Sequence, residues 1–232
     1  MAETKFLPAL RFRILTPLFD PLVRVTTRER NFKARLLEQA AIRPGERVLD
    51  LGCGTGTLAV AIKRAHPDAR VAGLDADGQI LAQAERKAAA AGVGVEFVEG
   101  FSDDLPFEDG AFDVVVSTLF FHHLTSETKR ATLREVARIL APAGRLHIGD
   151  WGKPRDPLMH VPFLLARMID GFEVTAANAR GELPAMIGAA GLSDAKVEHE
   201  LRAPLGTVAL LSARRRPDAP ADGEAEEPRS SR

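Results

Sequence analysis

The chain has 232 residues, 45% hydrophobic and 27% charged, with a formal net charge of −1. That size and balance suit one globular domain with short additions, with a core that stands without disulfides or metal. Near-neutral charge removes the global electrostatic case for nucleic acid. The single Cys53 excludes an intrachain disulfide and points to a reducing compartment. No window approaches the roughly 18 consecutive apolar residues of a spanning helix, and no long apolar run precedes Pro8. No signal peptide is therefore read, and the expected location is the cytoplasm.

Residues 6–40 interleave Phe6, Leu10, Ile14, Leu18 and Leu22 with arginines, and Pro8, Pro17 and Pro21 break them into short helical pieces. A helix is expected from about Arg28 to Ala41, with Phe32, Leu36, Leu37 and Ala40 on one face. Residues 1–40 thus read as a helical cap over the cofactor end of a sheet. The competing reading is a basic amphipathic element in peripheral contact with a membrane or an apolar substrate. The first is favoured because prolines spoil a continuous interfacial helix.

Residues 41–215 alternate strand and helix signals. Strand one ends in Asp50 and runs into a glycine turn; a helix follows from Leu58 to Ala65. Val71–Asp75 is a second strand, and Asp77 caps a helix reaching Ala91. Val93–Val98 and Phe112–Ser117 are strands three and four. Thr125 or Ser126 caps a helix through Leu140 that Pro142 and Gly144 close, and Arg145–Asp150 is strand five. Residues 152–190 hold a mixed segment, helix or lid, with a short helix from Leu183 to Ala190. Lys196–Leu201 and Thr207–Ala213 form a closing hairpin, and residues 216–232 read as a disordered tail. The fold class is α/β with a mostly parallel sheet and an antiparallel C-terminal edge hairpin.

The ligand signal is Val48-Leu49-Asp50-Leu51-Gly52-Cys53-Gly54-Thr55-Gly56-Thr57. A buried strand, a glycine turn and a helix N-terminus form a cradle for a nucleotide-like cofactor. A dinucleotide fingerprint wants its third glycine where Thr57 stands. Asp75 is placed for a ribose in either reading, whereas Asp50 suits a cationic amino group better than a pyrophosphate.

Asp50-Leu51-Gly52-Cys53-Gly54-Thr55-Gly56 resembles the first motif of class I S-adenosylmethionine methyltransferases. Asp75 matches the acid that binds both ribose hydroxyls in that family. Gly100–Phe107, with Asp109-Gly110-Ala111-Phe112-Asp113, resembles the adenine-side loop, and His122-His123-Leu124 resembles the segment after strand four. Arg134–Gly144 resembles the helix and turn before strand five, and Asp150-Trp151-Gly152-Lys153-Pro154 is similar to a stretch of quinone-biosynthesis C-methyltransferases. The resemblance covers about residues 28–213. It implies a Rossmann-like, doubly wound, seven-stranded sheet that binds S-adenosylmethionine through Asp50, Gly52, Cys53, Gly54, Gly56, Asp75, Ala76, Phe101, Ser102 and Ser117.

Two departures stand out. Gly100-Phe101-Ser102 replaces the frequent Gly-Asp-Ala, which leaves the adenine amino group to Ser102, Asp103 or backbone. The chain has no tyrosine, so Thr27, Arg28 or Arg30 would meet the methionine carboxylate.

Methyl transfer from a sulfonium needs positioning and exclusion of water, and a base only for a protonated acceptor. His122, His123 and Asp150 are the candidates for that base, near the C-terminal ends of strands four and five. Packing or helix capping is the competing role for each. Cys53 reads as inert, and no Cys and His set has metal-ligand spacing. The expected acceptor is small and apolar or lipid-like, such as a quinone precursor or a phospholipid headgroup. The alternatives are an NAD-dependent oxidoreductase and a non-catalytic protein that binds S-adenosylmethionine. Neither the acceptor nor an oligomeric state is encoded by a motif.

Overall fold

Helix α1 (Glu29–Ala40) is the first element of the described residues, which then alternate strand and helix around one sheet. A computed structural model describes residues 29–154, 164, 171–203 and 206–216; the expectations for residues 1–28, for most of the 152–190 lid and for the 217–232 tail lie outside them. The elements are β1 (Arg47–Leu51), α2 (Thr57–Ala65), β2 (Arg70–Asp75), α3 (Gly78–Ala90), β3 (Glu96–Glu99) and β4 (Phe112–Thr118). After a 3₁₀ turn (Phe121–His123) come α4 (Ser126–Ile139), β5 (Leu140–Trp151), α5 (Ala176–Arg180), α6 (Leu183–Ala189), β6 (Leu192–Ala203) and β7 (Gly206–Arg215).

The seven strands lie in the order β3-β2-β1-β4-β5-β7-β6. The first five pair in parallel, and β7 inserts antiparallel between β5 and β6. The closing hairpin is therefore at the sheet edge, as its sequence implied. β1 has β2 on one side and β4 on the other, so the strand order reverses at β1. In such sheets ligands bind beyond the carboxyl ends of the strands at that crevice.

Apolar alternation covers both faces. Leu49, Leu51, Val115, Leu146 and Ile148 pack with Leu133, Val136 and Ile139 of α4 and with Leu183 and Ile187 of α6. On the other face Val48, Val114, Val116 and Leu210 pack with Phe32 and Leu36 of α1 and with Leu58 and Ile62 of α2. The described part of the N-terminal region is thus a sheet-covering helix, with Phe32 and Leu36 fully buried.

Several boundaries differ from the sequence reading; β6 runs Leu192–Ala203 rather than Lys196–Leu201, and two others have a local cause. β3 starts at Glu96 because Val93 N–H turns back to Ala88 O, with Gly92 in left-handed conformation, and so belongs to the end of α3. β5 starts at Leu140, directly after α4, because Pro142-Ala143-Gly144 sits within a register shift against β4, with Ala143 at φ 62°. Asp77 caps α3 as expected, accepting from Gln79 N (2.9 Å) and Ile80 N (3.3 Å). Thr125, not Ser126, caps α4.

If α1 is part of this core, Phe32→Ala leaves a cavity worth about 3–5 kcal/mol. Urea unfolding of that variant is expected to remain one transition with a lower midpoint. A midpoint like that of the parent would make α1 a dispensable attachment.

Candidate active site at the carboxyl ends of β1, β4 and β5

The glycine loop is set by backbone geometry. Gly52 N and Cys53 N both donate to Leu74 O at 2.9 Å, and Gly56 N closes the turn onto Cys53 O at 3.0 Å. Gly52 has φ 68°, and a Cβ there would stand 2.3 Å from Cγ of Phe120. Gly54 has φ 52° and faces open space, so its absent side chain leaves room for a ligand against the backbone. From outside, Lys87 Nζ donates to the hydroxyls of Thr55 and Thr57, each at 2.7 Å.

Two acids flank this loop. Asp50 is 1% exposed; its Oδ2 accepts from Ala59 N at 3.0 Å, in the first turn of α2, and its Oδ1 has no partner among the described residues. Burial pushes its carboxyl up to about 7, against the pull of Lys33 and of the Ala59 N–H. An ionised Asp50 therefore wants a further cation, and the unpartnered Oδ1 is the atom that would receive it. Asp75, half-buried, accepts from Gly54 N (2.8 Å) and Asp77 N (3.1 Å), with Ala76 beside it. Burial outweighs these donors and lifts its carboxyl above the ordinary range. Each carboxylate oxygen has a second acceptor site, so a diol can add to the bonds already present.

The other proposed cofactor contacts are distributed unevenly. Phe101 is exposed on the loop after β3, bridging to Asp104. Ser102 is buried with its hydroxyl 2.8 Å from that of Thr132 on α4, and Ser117 donates to Leu51 O at 2.8 Å. Both hydroxyls thus hold the scaffold. The loop itself is tied to α4 through Glu135, which accepts from Leu105 N, and Arg138, which donates to Leu105 O and Phe107 O. Cys53 is buried, and burial beside Asp50 and Asp75 pushes its thiol far up, which makes it a poor nucleophile. Thr27, Arg28 and the side chain of Arg30 lie outside the described residues.

His122 and Asp150 meet across the ends of β4 and β5. His122 Nδ1 is 2.7 Å from Asp150 Oδ1, and Asp150 also accepts from His122 N (3.2 Å) and Trp151 N (2.6 Å). His122 is 4% and Asp150 0% exposed. Burial pushes the Asp150 carboxyl up, but His122, the Trp151 N–H and His123 outweigh it and hold the acid below its ordinary range. The imidazole of His123 packs on that of His122 at 3.9 Å between centroids; burial and its neighbour lower its pKa to about 3. Phe120 links this pair to the glycine loop, since its ring lies on Gly52.

Lys129 on α4 was not singled out by sequence. It is fully buried, donates to Leu124 O and Val174 O at 2.6 Å each, and is lowered to about 8 by burial despite the opposing pull of Asp150. Its signal was positional: Lys129 precedes Leu133 by four residues, in line with the apolar stripe of α4. Asn178 holds Trp151 O at 3.0 Å, and its Oδ1 has no partner among the described residues.

Residues 48–144 match the family described as "Methyltransferase domain". The chain is 37% identical over 145 residues to a demethylmenaquinone methyltransferase of Thermus thermophilus, covering 62% of this chain and 65% of that one. It is 32% identical over 157 residues to a ubiquinone/menaquinone biosynthesis C-methyltransferase of Ectopseudomonas mendocina, covering 66% and 58%. These alignments span less than two thirds of the relatives' own length. A solved S-adenosylmethionine-dependent methyltransferase from Aquifex aeolicus shares the fold with a TM-score of 0.64, at 20% identity, over 87% of this chain and 96% of that one. The cofactor of the methyltransferase domain is S-adenosylmethionine, and the residues fit it: an unpartnered buried carboxylate oxygen for its ammonium, a half-buried acid for its ribose and an open glycine backbone between them.

Asp50 gives a proton signature. Its pKa of about 7 lies above the usual value near 4, so below pH 7 the free protein carries this proton, and a bound ammonium displaces it. Calorimetry with S-adenosylhomocysteine in buffers of different ionisation enthalpy is expected to show close to one proton released at pH 6 and none at pH 8. Asp50→Asn is expected to abolish the release; equal release from that variant would place the cation elsewhere.

Proposed function

We propose that this protein transfers the methyl group of S-adenosylmethionine to a small, apolar or lipid-like acceptor that starts protonated, with a quinol-type ring as the preferred class. The observation that carries this reading is the buried His122–Asp150 pair at the carboxyl ends of β4 and β5, beside the loop of a methyltransferase domain. The names of the Thermus and Ectopseudomonas relatives support the acceptor class.

When bound, S-adenosylmethionine supplies an activated methyl group on a sulfonium. Asp50 and Asp75 anchor its two polar ends, which fixes the methyl relative to β4 and β5. Asp150, held ionised, accepts a hydrogen bond from the Nδ1–H of His122, which makes Nε2 the basic atom of that tautomer. Nε2 takes the hydroxyl proton of the acceptor, which raises electron density at the atom that receives the methyl group. Asp150 then stabilises the imidazolium without itself being protonated, as the acid of a Ser-His-Asp triad does. His123, kept neutral, adds no competing positive charge beside His122. Trp151 stands edge-on to the His122 ring, at 6.4 Å between centroids, and helps keep water away.

An apolar acceptor of this kind resides in a bilayer, and the alternating apolar and basic residues of segment 1–40 support peripheral membrane contact as part of the same reading. Among the described residues no helix is long and apolar enough to cross a membrane.

The test uses labelled methyl transfer to a soluble demethylmenaquinol analogue. His122→Ala is expected to lower kcat by about 10²–10⁴-fold, with affinity for S-adenosylhomocysteine unchanged. Asp150→Asn should reverse the tautomer and lose rate comparably. Full activity in His122→Ala would remove the base from the mechanism.

A further inference from the structure

A second cleft lies away from the glycine loop, where the end of α1 meets the β5–β7–β6 edge. It measures about 510 Å³ and is bounded by Gln39, Arg43, Arg145, His147, Lys196 and Arg214, among others. That volume falls in the range of small-molecule sites. Its floor is built by strand alternation. Leu146 and Ile148 point into the core under α4, so Arg145 and His147 face the other way. Arg145 pairs directly with Arg214 of β7, and His147 with Ser212. On β6 a register shift at Ser193–Lys196, with Asp194 at φ 56°, bends the edge strand and keeps the cleft open.

Three polar atoms of residues that bound this cleft lie buried beneath its surface and have no partner among the described residues: Gln39 Oε1, Arg145 Nε and His147 Nε2. Their hydrogen-bonding roles are fixed by their neighbours. Gln39 Nε2 lies 3.0 Å from the carbonyl oxygen of Leu211, so that atom is the amide nitrogen and the remaining atom, Oε1, is an acceptor. The same nitrogen donates to His147 Nδ1 at 3.1 Å. His147 is 4% exposed, and burial lowers its pKa to about 4, so the ring is neutral and carries its proton on Nε2. Arg145 grips Glu46 with both terminal nitrogens, which leaves the Nε–H donor. The residues of the cleft thus hold two donors and one acceptor beneath a rim with Arg43, Lys196 and Arg214. Asp194 and Glu198 oppose that charge, and Glu198 is engaged by Ser212 and Lys196.

Unpaired buried polar groups are unfavourable and are a mark of a missing partner. We propose that this cleft is a second binding site, separate from the methyl-transfer centre, for a small oxyanion that bears a hydroxyl, the chemistry of a hydrogen phosphate or a singly protonated phosphate monoester. As the rim side chains part to admit it, its oxygens accept from His147 Nε2 and Arg145 Nε, its hydroxyl donates to Gln39 Oε1, and Arg43 and Arg214 supply the charge. Sulfate, which carries no proton at neutral pH, leaves Gln39 Oε1 unpaired and is the discriminating ligand. Arg145 lies five residues before Asp150 on β5, so the site stands about 17 Å along the strand from the His122 pair.

The test is an NMR titration of the full chain with inorganic phosphate, sulfate and glycerol 3-phosphate, following the arginine Nε–H resonances. Saturable shifts of Arg145 are expected with phosphate, with sulfate at least fivefold weaker. Tighter binding of glycerol 3-phosphate than of phosphate would assign the site to an ester; the reverse order would assign it to the free anion. His147→Phe is expected to weaken binding at least tenfold and Arg214→Ala, on the rim, at least threefold, with binding of S-adenosylhomocysteine retained in both. No saturable shift, equal affinity for sulfate and phosphate, or unchanged affinity in both variants would leave only water in the cleft and overturn the proposal.

Discussion

Burial of Asp50 at the end of β1 is the constraint on which the rest of the site depends. A carboxylate surrounded by core is tolerable only with partners, and the fold provides one for Oδ2, the Ala59 N–H at the start of α2. That bond fixes where the helix begins relative to the strand, and the glycine loop must then pass between them. Its conformation follows: Gly52 under the ring of Phe120, and Gly54 open to the ligand and anchored by Asp75. The remaining oxygen of Asp50 is left unsatisfied. In the proposed reading, the free protein holds an electrostatic deficit that a cationic ligand relieves, and binding affinity draws on that relief.

Phe120 carries the arrangement across the sheet. Its contact with Gly52 fixes the distance between the cofactor loop and the 3₁₀ turn that bears His122. Leu119, at φ 52°, bonds to Gly149 O, so the chain leaving β4 is held against the end of β5. There Asp150 accepts three hydrogen bonds and orients the imidazole. Lys129 closes this region from α4 by bonding to Leu124 O and Val174 O, which attaches the segment that leads into α5 to the β4–α4 turn.

Much of this was legible in the sequence because it rests on local rules. The strand–glycine–helix run, the Asp77 cap and the doubly buried strands depend on period, turn chemistry and capping, and the structure places them within a few residues of expectation. The shorter β3 and the early start of β5 were not legible, since a helix cap and a register shift decide them through contacts with other elements. Among site residues, Asp50 and Asp75 announced themselves as acids at strand ends. Ser102 and Ser117 did not reveal that their hydroxyls bond to Thr132 and Leu51, because those partners lie 30 and 66 residues away in the chain. Lys129 and the Gln39–His147 pair were hidden for the same reason.

Calorimetric titration of the full chain with S-adenosylhomocysteine, with NAD run in parallel, addresses the central claim most directly. Binding of S-adenosylhomocysteine alone, at one equivalent and about micromolar affinity, is the predicted result. Binding of NAD instead, or of neither ligand, would contradict the assignment of the Asp50–Gly54–Asp75 cradle to S-adenosylmethionine.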